Sequence, residues 1–132
     1  MTGDFIHRNT AERINSLLDL PATGNEQDWD IELADRCRIK EFIDFLFEHE
    51  LHLDDKKAVV SLIIASYYDL LEYEADIDSH IWKRIRILLD RNKGAYNYWL
   101  NYWVTWDKEH RYTITQILKS YLDEINGYEP RF

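Results

Sequence analysis

The sequence has few of the residues that cross-link, break or tightly turn a backbone. Of its 132 residues, one is cysteine, two are proline and four are glycine. The single cysteine, Cys37, excludes an intrachain disulfide and agrees with a reducing compartment. No glycine-rich phosphate loop, nucleophile elbow or paired-cysteine motif occurs. The sequence therefore carries no motif for nucleotide chemistry or for a common nucleophile.

Long apolar runs are also absent. No stretch of about 18 consecutive apolar residues occurs, and the N-terminal segment MTGDFIHRNT has no apolar signal core. We therefore expect a soluble, cytoplasmic protein without a membrane segment. Apolar residues make up 45% and charged residues 31%, a balance typical of globular chains. The length fits one domain, so we expect residues 1–132 to form a single helical domain with 1–8 as a flexible arm.

Residues 54–74 predict the central helix of the fold. Their apolar side chains recur at helical spacing and cover most of the helix circumference, which is typical of a helix packed on several sides. Asp54 or Asp55 is placed to cap the helix start. The apolar positions are Ala58, Val59, Val60, Leu62, Ile63, Ile64, Tyr67, Tyr68, Leu70 and Leu71.

The rest of the chain predicts further helices joined by short links. They start at Asn9 or Thr10, near residue 27 with a possible break at 36–38, at 79, at 95 and at 113. Asp78 or Ser79 is a candidate cap, and Thr113 with Gln116 resembles a capping box, with Gly127 as the final stop. The predicted fold class is all-α, an irregular antiparallel bundle of five or six helices around 54–74.

The charge of the chain is unevenly distributed. The whole chain has a net charge of −9, yet residues 26–78 alone combine sixteen acidic with five basic residues, a net charge of −11. Such a surface repels nucleic acid and attracts a basic protein. The alternative interpretation is that the acidic surface only keeps the domain soluble. We expect a basic protein partner, no direct nucleic-acid binding and no membrane binding; the oligomeric state stays open.

Five carboxylates in this region are candidate contacts for a basic partner. Glu41, Asp44 and Glu48 lie on one side of a predicted helix, opposite its apolar face, and Asp69 and Glu72 lie near the next turn. The alternative is that each group is an ordinary solvated helix face. Basic residues of the following helix either complement this acidic region or bind phosphates: Lys83, Arg84, Arg86, Arg91 and Lys93.

Aromatic residues are concentrated in 95–106, AYNYWLNYWVTW. Aromatics favour strands, but the sequence breaks strict alternation, so we expect a helix. Trp99 and Trp103 then belong to the core, and not all of the remaining rings can face the same core. Tyr98 and Tyr102 are our candidates for aromatic contacts with a partner.

Metal binding and catalysis have little support in the sequence. His49 and His52 lie three residues apart beside Asp54 and Asp55, but no HExxH or ExxH motif accompanies them. Cys37 stands between Arg36 and Arg38, which favour its thiolate, yet no histidine is placed beside it by sequence. We assign no catalytic residue, no metal ligand and no cofactor.

The small, acidic, cysteine-poor, aromatic-rich helical profile resembles bacterial immunity proteins of contact-dependent and other polymorphic toxin systems. The resemblance covers the whole chain and includes no motif, so no functional residue is carried over. It implies a protein that binds a basic toxin domain, often a nuclease, and blocks its active site. Two other classes stay open, a regulatory or adaptor module and an enzyme whose site is assembled from dispersed acidic residues.

Overall fold

A computed structural model of the protein describes residues 6–126 and shows an all-α fold, as predicted. No strand occurs among these residues, and none of their helices is long and apolar enough to cross a membrane. A 3-10 helix at Arg36–Arg38 lies between the second and third of seven α-helices. The α-helices are α1 (Arg8–Leu17), α2 (Trp29–Glu32), α3 (Ile39–Glu48), α4 (Leu53–Tyr73), α5 (Ser79–Arg91), α6 (Asn97–Trp106) and α7 (Thr113–Ile125).

The central position of α4 is confirmed, with bounds one residue earlier than predicted. Every residue from 58 to 67 is buried, so this part of the helix is covered around its whole circumference. It contacts α1, α2, the 3-10 helix, α3 and α7, while α5 packs on α3 and α6 packs on α7. Leu70 and Leu71 are only partly buried, because α4 emerges from the core near its C-terminal end.

The predicted starts of α1 and α4 each need one correction. Helix α1 begins at Arg8 with His7 as its N-cap, so the arm predicted for 1–8 is too long; residues 1–5 lie outside the described part. The N-cap of α4 is His52, which makes no side-chain capping bond. Asp55, a predicted cap, is buried and accepts hydrogen bonds from Arg13 of α1 instead. Tertiary pairing has therefore replaced the capping role.

The region predicted as one interrupted helix divides into the α-helices α2 and α3 with the 3-10 helix between them, and this additional α-helix explains why the described residues form seven α-helices where five or six were predicted. Helix α2 has a single turn and is anchored by Trp29, whose Nε1–H donates to Asn15 Oδ1 at 2.8 Å. The backbone N–H of Asp35 then donates to the hydroxyl of Ser66 in α4 at 2.9 Å. These two bonds hold the short helix against α1 and α4.

Of the other predicted caps, one is confirmed and one is wrong. Asp78 caps α5 by accepting from the backbone N–H of His80 at 2.9 Å. The N-cap of α7 is Tyr112, without a side-chain bond, so the capping box predicted from Thr113 is wrong. Gln116 donates instead to the carbonyl oxygen of His110. The predicted stop at Gly127 lies outside the described residues.

Candidate functional site

Helix α6 carries an uncharged aromatic surface. None of its ten residues is charged. Tyr98, Tyr102 and Trp106 follow one another at intervals of four, so they lie along one side of the helix, and their exposed fractions are 40%, 51% and 50%. We call these three residues the aromatic stripe. Trp99 and Trp103 are buried, as predicted, so one side of α6 contributes to the core and another side to the surface.

The rings of the aromatic stripe rest on buried or half-buried rings. Tyr102 meets the edge of Trp103 with ring centroids 6.3 Å apart. The Trp106 ring centroid lies 5.6 Å from that of Trp103, and Trp106 stacks on Tyr112, the N-cap of α7, at 5.4 Å with an interplanar angle of 16°. Since neighbouring rings restrict these side chains before any partner arrives, the stripe loses little conformational entropy on binding.

A cavity of about 310 Å³ opens beside the aromatic stripe, where α2, α4 and α6 meet. Four of its lining residues are aromatic, and the Tyr68 ring centroid lies 5.0 Å from that of Trp103. We call this cavity the aromatic pocket. Its lining residues are Asp28, Ile31, Ala34, Ala65, Tyr68, Asp69, Tyr102, Trp103 and Trp106.

Two carboxylates line the aromatic pocket. Asp69 is partly buried, and burial raises the pKa of its carboxyl group, an effect opposed by the positive charge of Arg36 and reinforced by Asp35. Asp28 is exposed and is the N-cap of α2, but its side chain makes no capping hydrogen bond. Among residues 6–126 neither carboxylate forms an ion pair with a basic side chain, so both retain capacity for an external cation.

A second concavity, of about 240 Å³, continues from the pocket along α2 and places Asp30 near Tyr98 and Tyr102. Burial is the main reason why the pKa of Asp30 rises to about 6; a hydrogen bond from the backbone N–H of Ile31 opposes the shift. Asp28, which lines both concavities, adds to it by charge repulsion. We call Asp28, Asp30 and Asp69 the acidic rim.

The other side of the aromatic stripe borders a wide depression of about 830 Å³. Its polar lining is amide and hydroxyl, from Asn97, Asn101 and Thr105, with Lys57 as the one basic residue in the lining. The Asn97 Oδ1 atom is buried and accepts no hydrogen bond from the described residues. Tyrosine, asparagine and small hydroxyl residues around exposed rings are the composition of an adaptable protein-binding surface.

The structure divides the seven residues predicted as partner contacts among three places. Asp69 and Tyr102 line the aromatic pocket, and Tyr98 lies next to it. Glu72 is exposed at the end of α4, and Glu48 is exposed at the end of α3; neither forms an ion pair within the described chain. The prediction thus named two residues of the pocket and one of its neighbours.

The α3 carboxylates Glu41 and Asp44 are engaged inside the molecule. Glu41 holds Arg38 through two hydrogen bonds, of 2.9 and 2.5 Å, and Arg38 in turn donates to the carbonyl oxygens of Leu18 and Asp19 after α1. The Glu41 carboxyl has a lowered pKa because the Arg38 guanidinium donates to it. Asp44 pairs with Arg84 of α5. Both carboxylates therefore connect helices.

The basic residues of α5 also serve the fold, in agreement with one of the two interpretations of that helix. Arg84 and Arg91 both lie over the ring of Phe47, at 5.1 and 4.6 Å from its centroid. Arg86 forms two hydrogen bonds to Glu124 of α7, at 3.1 and 2.6 Å. These contacts use much of the basic patch to complement acidic and aromatic groups of neighbouring helices.

The histidine and cysteine candidates do not assemble into a site within residues 6–126, where no group of three potential metal ligands occurs. His49 Nδ1 lies 2.9 Å from the carbonyl oxygen of Phe45, and the two rings stack with centroids 4.3 Å apart. Cys37 is exposed in the 3-10 helix. The described part of the chain offers recognition by aromatic faces and carboxylates.

Sequence reasoning missed the contribution of α2 to this site. Asp28, Asp30 and Ile31 belong to a one-turn helix, which is too short to show a periodic pattern. Tyr68 was included in the central helix, but its place in the pocket follows from the packing of α6 against α4. The one available clue was Ile31, an apolar residue between acidic neighbours that is 46% exposed in the fold.

Comparison of the chain with protein-family models, with curated proteins and with solved structures found no match. The interpretation of the site therefore depends on its own geometry and chemistry.

Proposed function

We propose that this protein is an immunity protein that binds and neutralises a basic toxin domain, and that it does so through the aromatic stripe and the acidic rim. The observation that carries the proposal is the stripe itself, three half-exposed rings on a helix without a charged residue. Charge depletion and aromatic enrichment at the centre of a surface are typical of protein interfaces.

The acidic rim supports a basic rather than a neutral partner. Asp28, Asp30 and Asp69 border the stripe within a segment, 26–78, whose net charge is −11. A positively charged protein approaching this side is attracted before contact, which raises its association rate. The α3 carboxylates Glu41 and Asp44 are less suited to this role, because arginines of the same chain already neutralise them.

The test begins with isolation of the protein from its own host and identification of the chains that co-purify with it. Binding of the co-purifying chain is then measured with two stripe variants, Tyr102→Ala and Trp106→Ala. Each variant should weaken binding by about tenfold or more, mainly through faster dissociation, because exposed anchor rings are lost at the centre of the contact. Thermal melts of both variants establish that the fold persists.

Charge-reversal variants distinguish the contribution of the acidic rim from that of other exposed carboxylates. Asp28→Lys with Asp69→Lys should slow association by about tenfold at low salt, and added salt should reduce the difference. The matched control is Glu48→Lys with Asp76→Lys, which also reverses two exposed carboxylates but outside the aromatic stripe and the acidic rim, and it should change the rate much less. The immunity assignment further requires that the bound chain be toxic alone and harmless in the complex.

Two results would overturn the proposal. One is a co-purifying chain whose affinity is the same for wild type, Tyr102→Ala and Trp106→Ala. The other is a partner whose own activity the bound protein does not inhibit, which would instead indicate an adaptor.

A further inference from the structure

The lining of the aromatic pocket combines ring faces with carboxylates in a space the size of one side chain. Tyr68, Trp103 and Trp106 line it as a cluster of mutually packed rings with centroids 5.0 to 6.3 Å apart, and the Trp103 and Trp106 planes are nearly perpendicular, at 84°. Its volume of about 310 Å³ is at the lower end of ligand sites. Ala34 and Ala65 keep the pocket open, because their side chains are short.

An organic cation complements this lining. The faces of tryptophan and tyrosine rings attract a positive charge, and the attraction strengthens where water is excluded. A guanidinium is planar, is weakly hydrated and presents parallel N–H donors, so it can stack on a ring and pair with a carboxylate at the same time. Asp28 and Asp69 supply those carboxylates on the pocket wall.

No described arginine of the chain fills this role. The positive charge of Arg36 favours the ionised form of Asp69. The Arg36 Nε atom, however, lies 3.7 Å from Glu74, and its guanidinium carbon lies 4.9 Å from the Tyr73 ring centroid. Arg36 is therefore held at the exposed end of α4, outside the pocket lining.

We propose that the aromatic pocket binds one arginine side chain of the basic partner, with the guanidinium against Trp106 and Tyr102 and between Asp28 and Asp69. The assignment builds on the proposed function and specifies one contact within it. Lysine is disfavoured, because a compact and strongly hydrated ammonium does not stack on a ring as a planar guanidinium does.

The pocket can be tested without any partner, by titrating the full chain with N-acetyl-arginine amide. The probe should bind saturably, with a Kd on the order of millimolar, and should shift the aromatic NMR resonances of Trp106 and Tyr102. The lysine and norleucine analogues should bind at least about fivefold more weakly, which corresponds to about 1 kcal/mol. Equal binding of the three probes would overturn the assignment.

Variants locate the contact. Asp69→Asn and Trp106→Leu should each weaken binding of the arginine probe by about fivefold or more. Asp76→Asn, in the exposed α4–α5 turn, should leave the affinity for the probe unchanged. An unchanged affinity in both pocket variants would place the probe elsewhere and reject the pocket. Far-UV circular dichroism and a thermal melt of each variant verify folding.

The two proposals fail separately. If a basic partner requires Tyr102 and Trp106 but the arginine probe does not bind the pocket, the pocket assignment is wrong and the proposed function stands. If the probe binds the pocket but no basic toxin binds the chain, the pocket is a cation site and the proposed function is wrong.

Discussion

Thr115 donates its hydroxyl to Asp107 Oδ2 over 2.5 Å, and the backbone N–H of Tyr112 donates to the same oxygen at 2.9 Å. Asp107 follows α6 directly, and Thr115 lies in the first turn of α7. This buried carboxylate therefore fixes the angle between the two helices. It also holds Tyr112 where its ring stacks on Trp106, so the turn supports the aromatic stripe.

Acid should weaken the α6–α7 turn. Burial opposes ionisation of Asp107, but hydrogen bonds from Thr115 and from the backbone N–H groups of Tyr112 and Arg111 outweigh it, so the pKa of Asp107 is lowered. A lowered folded pKa means that the stabilisation is complete above the unfolded value of about 3.9 and is lost as pH falls through the folded pKa. Asp107→Asn should lower the Tm at neutral pH and reduce the further loss of Tm on acidification.

Thermal melts of wild type and Asp107→Asn between about pH 7 and pH 2.5 check this prediction. Asp76→Asn, in the exposed turn after α4, is the control and should follow wild type. Parallel curves for the Asp107 variant and wild type would contradict the role of this carboxylate.

Ionisation of Asp30 should change the free energy of unfolding with pH in the opposite direction. Its pKa is raised to about 6, mainly by burial, so the folded state holds a proton more tightly than the unfolded state does. Stability should therefore fall as pH rises from about 4 to about 6 and stay constant above. Asp30→Asn removes the buried charge and should raise the free energy of unfolding at pH 8 by about 1–2 kcal/mol, after discounting for solvent screening. Urea unfolding at pH 5 and pH 8 measures the difference, which should be smaller at pH 5; the same gain at both pH values would argue against this titration.

Truncation to Ala should cost more stability in the buried part of α4 than near its C-terminal end. Leu62 and Ile63 are fully buried, so each change to Ala should reduce the free energy of unfolding by about 2–5 kcal/mol. Leu70 is only partly buried, so Leu70→Ala should reduce the free energy of unfolding by less. Urea unfolding measures all three. Equal, small losses would be incompatible with α4 as the core.

Removal of Arg13 and removal of Asp55 should lower the Tm by different amounts. The guanidinium reaches the carboxylate at 2.7 Å, but the Arg13 side chain is 53% exposed and that of Asp55 only 7%. Arg13→Ala leaves a buried carboxylate without its partner, whereas Asp55→Ala leaves an arginine that water can solvate. Arg13→Ala should therefore lower the Tm more, and the double variant should recover part of the loss. Additive losses in the double variant would show that the two side chains are not coupled.

No stoichiometric transition metal is expected in the purified protein. His49 and His52 lack further ligands among the described residues, and His49 is stacked on Phe45. Elemental analysis of protein prepared without added metal measures the content. One zinc per chain, lost in the His49→Ala, His52→Ala variant, would refute this expectation.

The sequence was sufficient to predict the helices whose apolar spacing is regular. The apolar residues of 58–67, interrupted only by Ser61 and Ser66, identified α4 as central, because they cover most of the helix circumference. Caps were harder to predict. Asp55 and Thr113 satisfy local capping rules, but Asp55 pairs with Arg13 and the start of α7 is fixed by Asp107. Tertiary contacts decided both cases.

The site was predictable in its aromatic part and not in its acidic part. Helical periodicity assigned Trp99 and Trp103 to the core and left Tyr98 and Tyr102 as candidate contacts, since positions four apart share a face. Helical periodicity did not show which carboxylates would lie at the site. Asp44 and Asp69 look equivalent in the sequence, yet one is paired with Arg84 and the other lines the pocket. That distinction depends on which helices meet, which spacing within one helix does not specify.

The uncharged face of α6 also bears on the colloidal behaviour of the protein. Half-exposed rings without charge on their own helix would bring copies of the chain together if nothing kept them apart. The surrounding carboxylates keep such faces separate by mutual repulsion, so acidification or high salt should produce reversible self-association, visible by light scattering. Asp30, with its pKa of about 6, is neutralised early on acidification. The carboxylates proposed to attract a cationic partner should thus also keep copies of the protein apart in its absence.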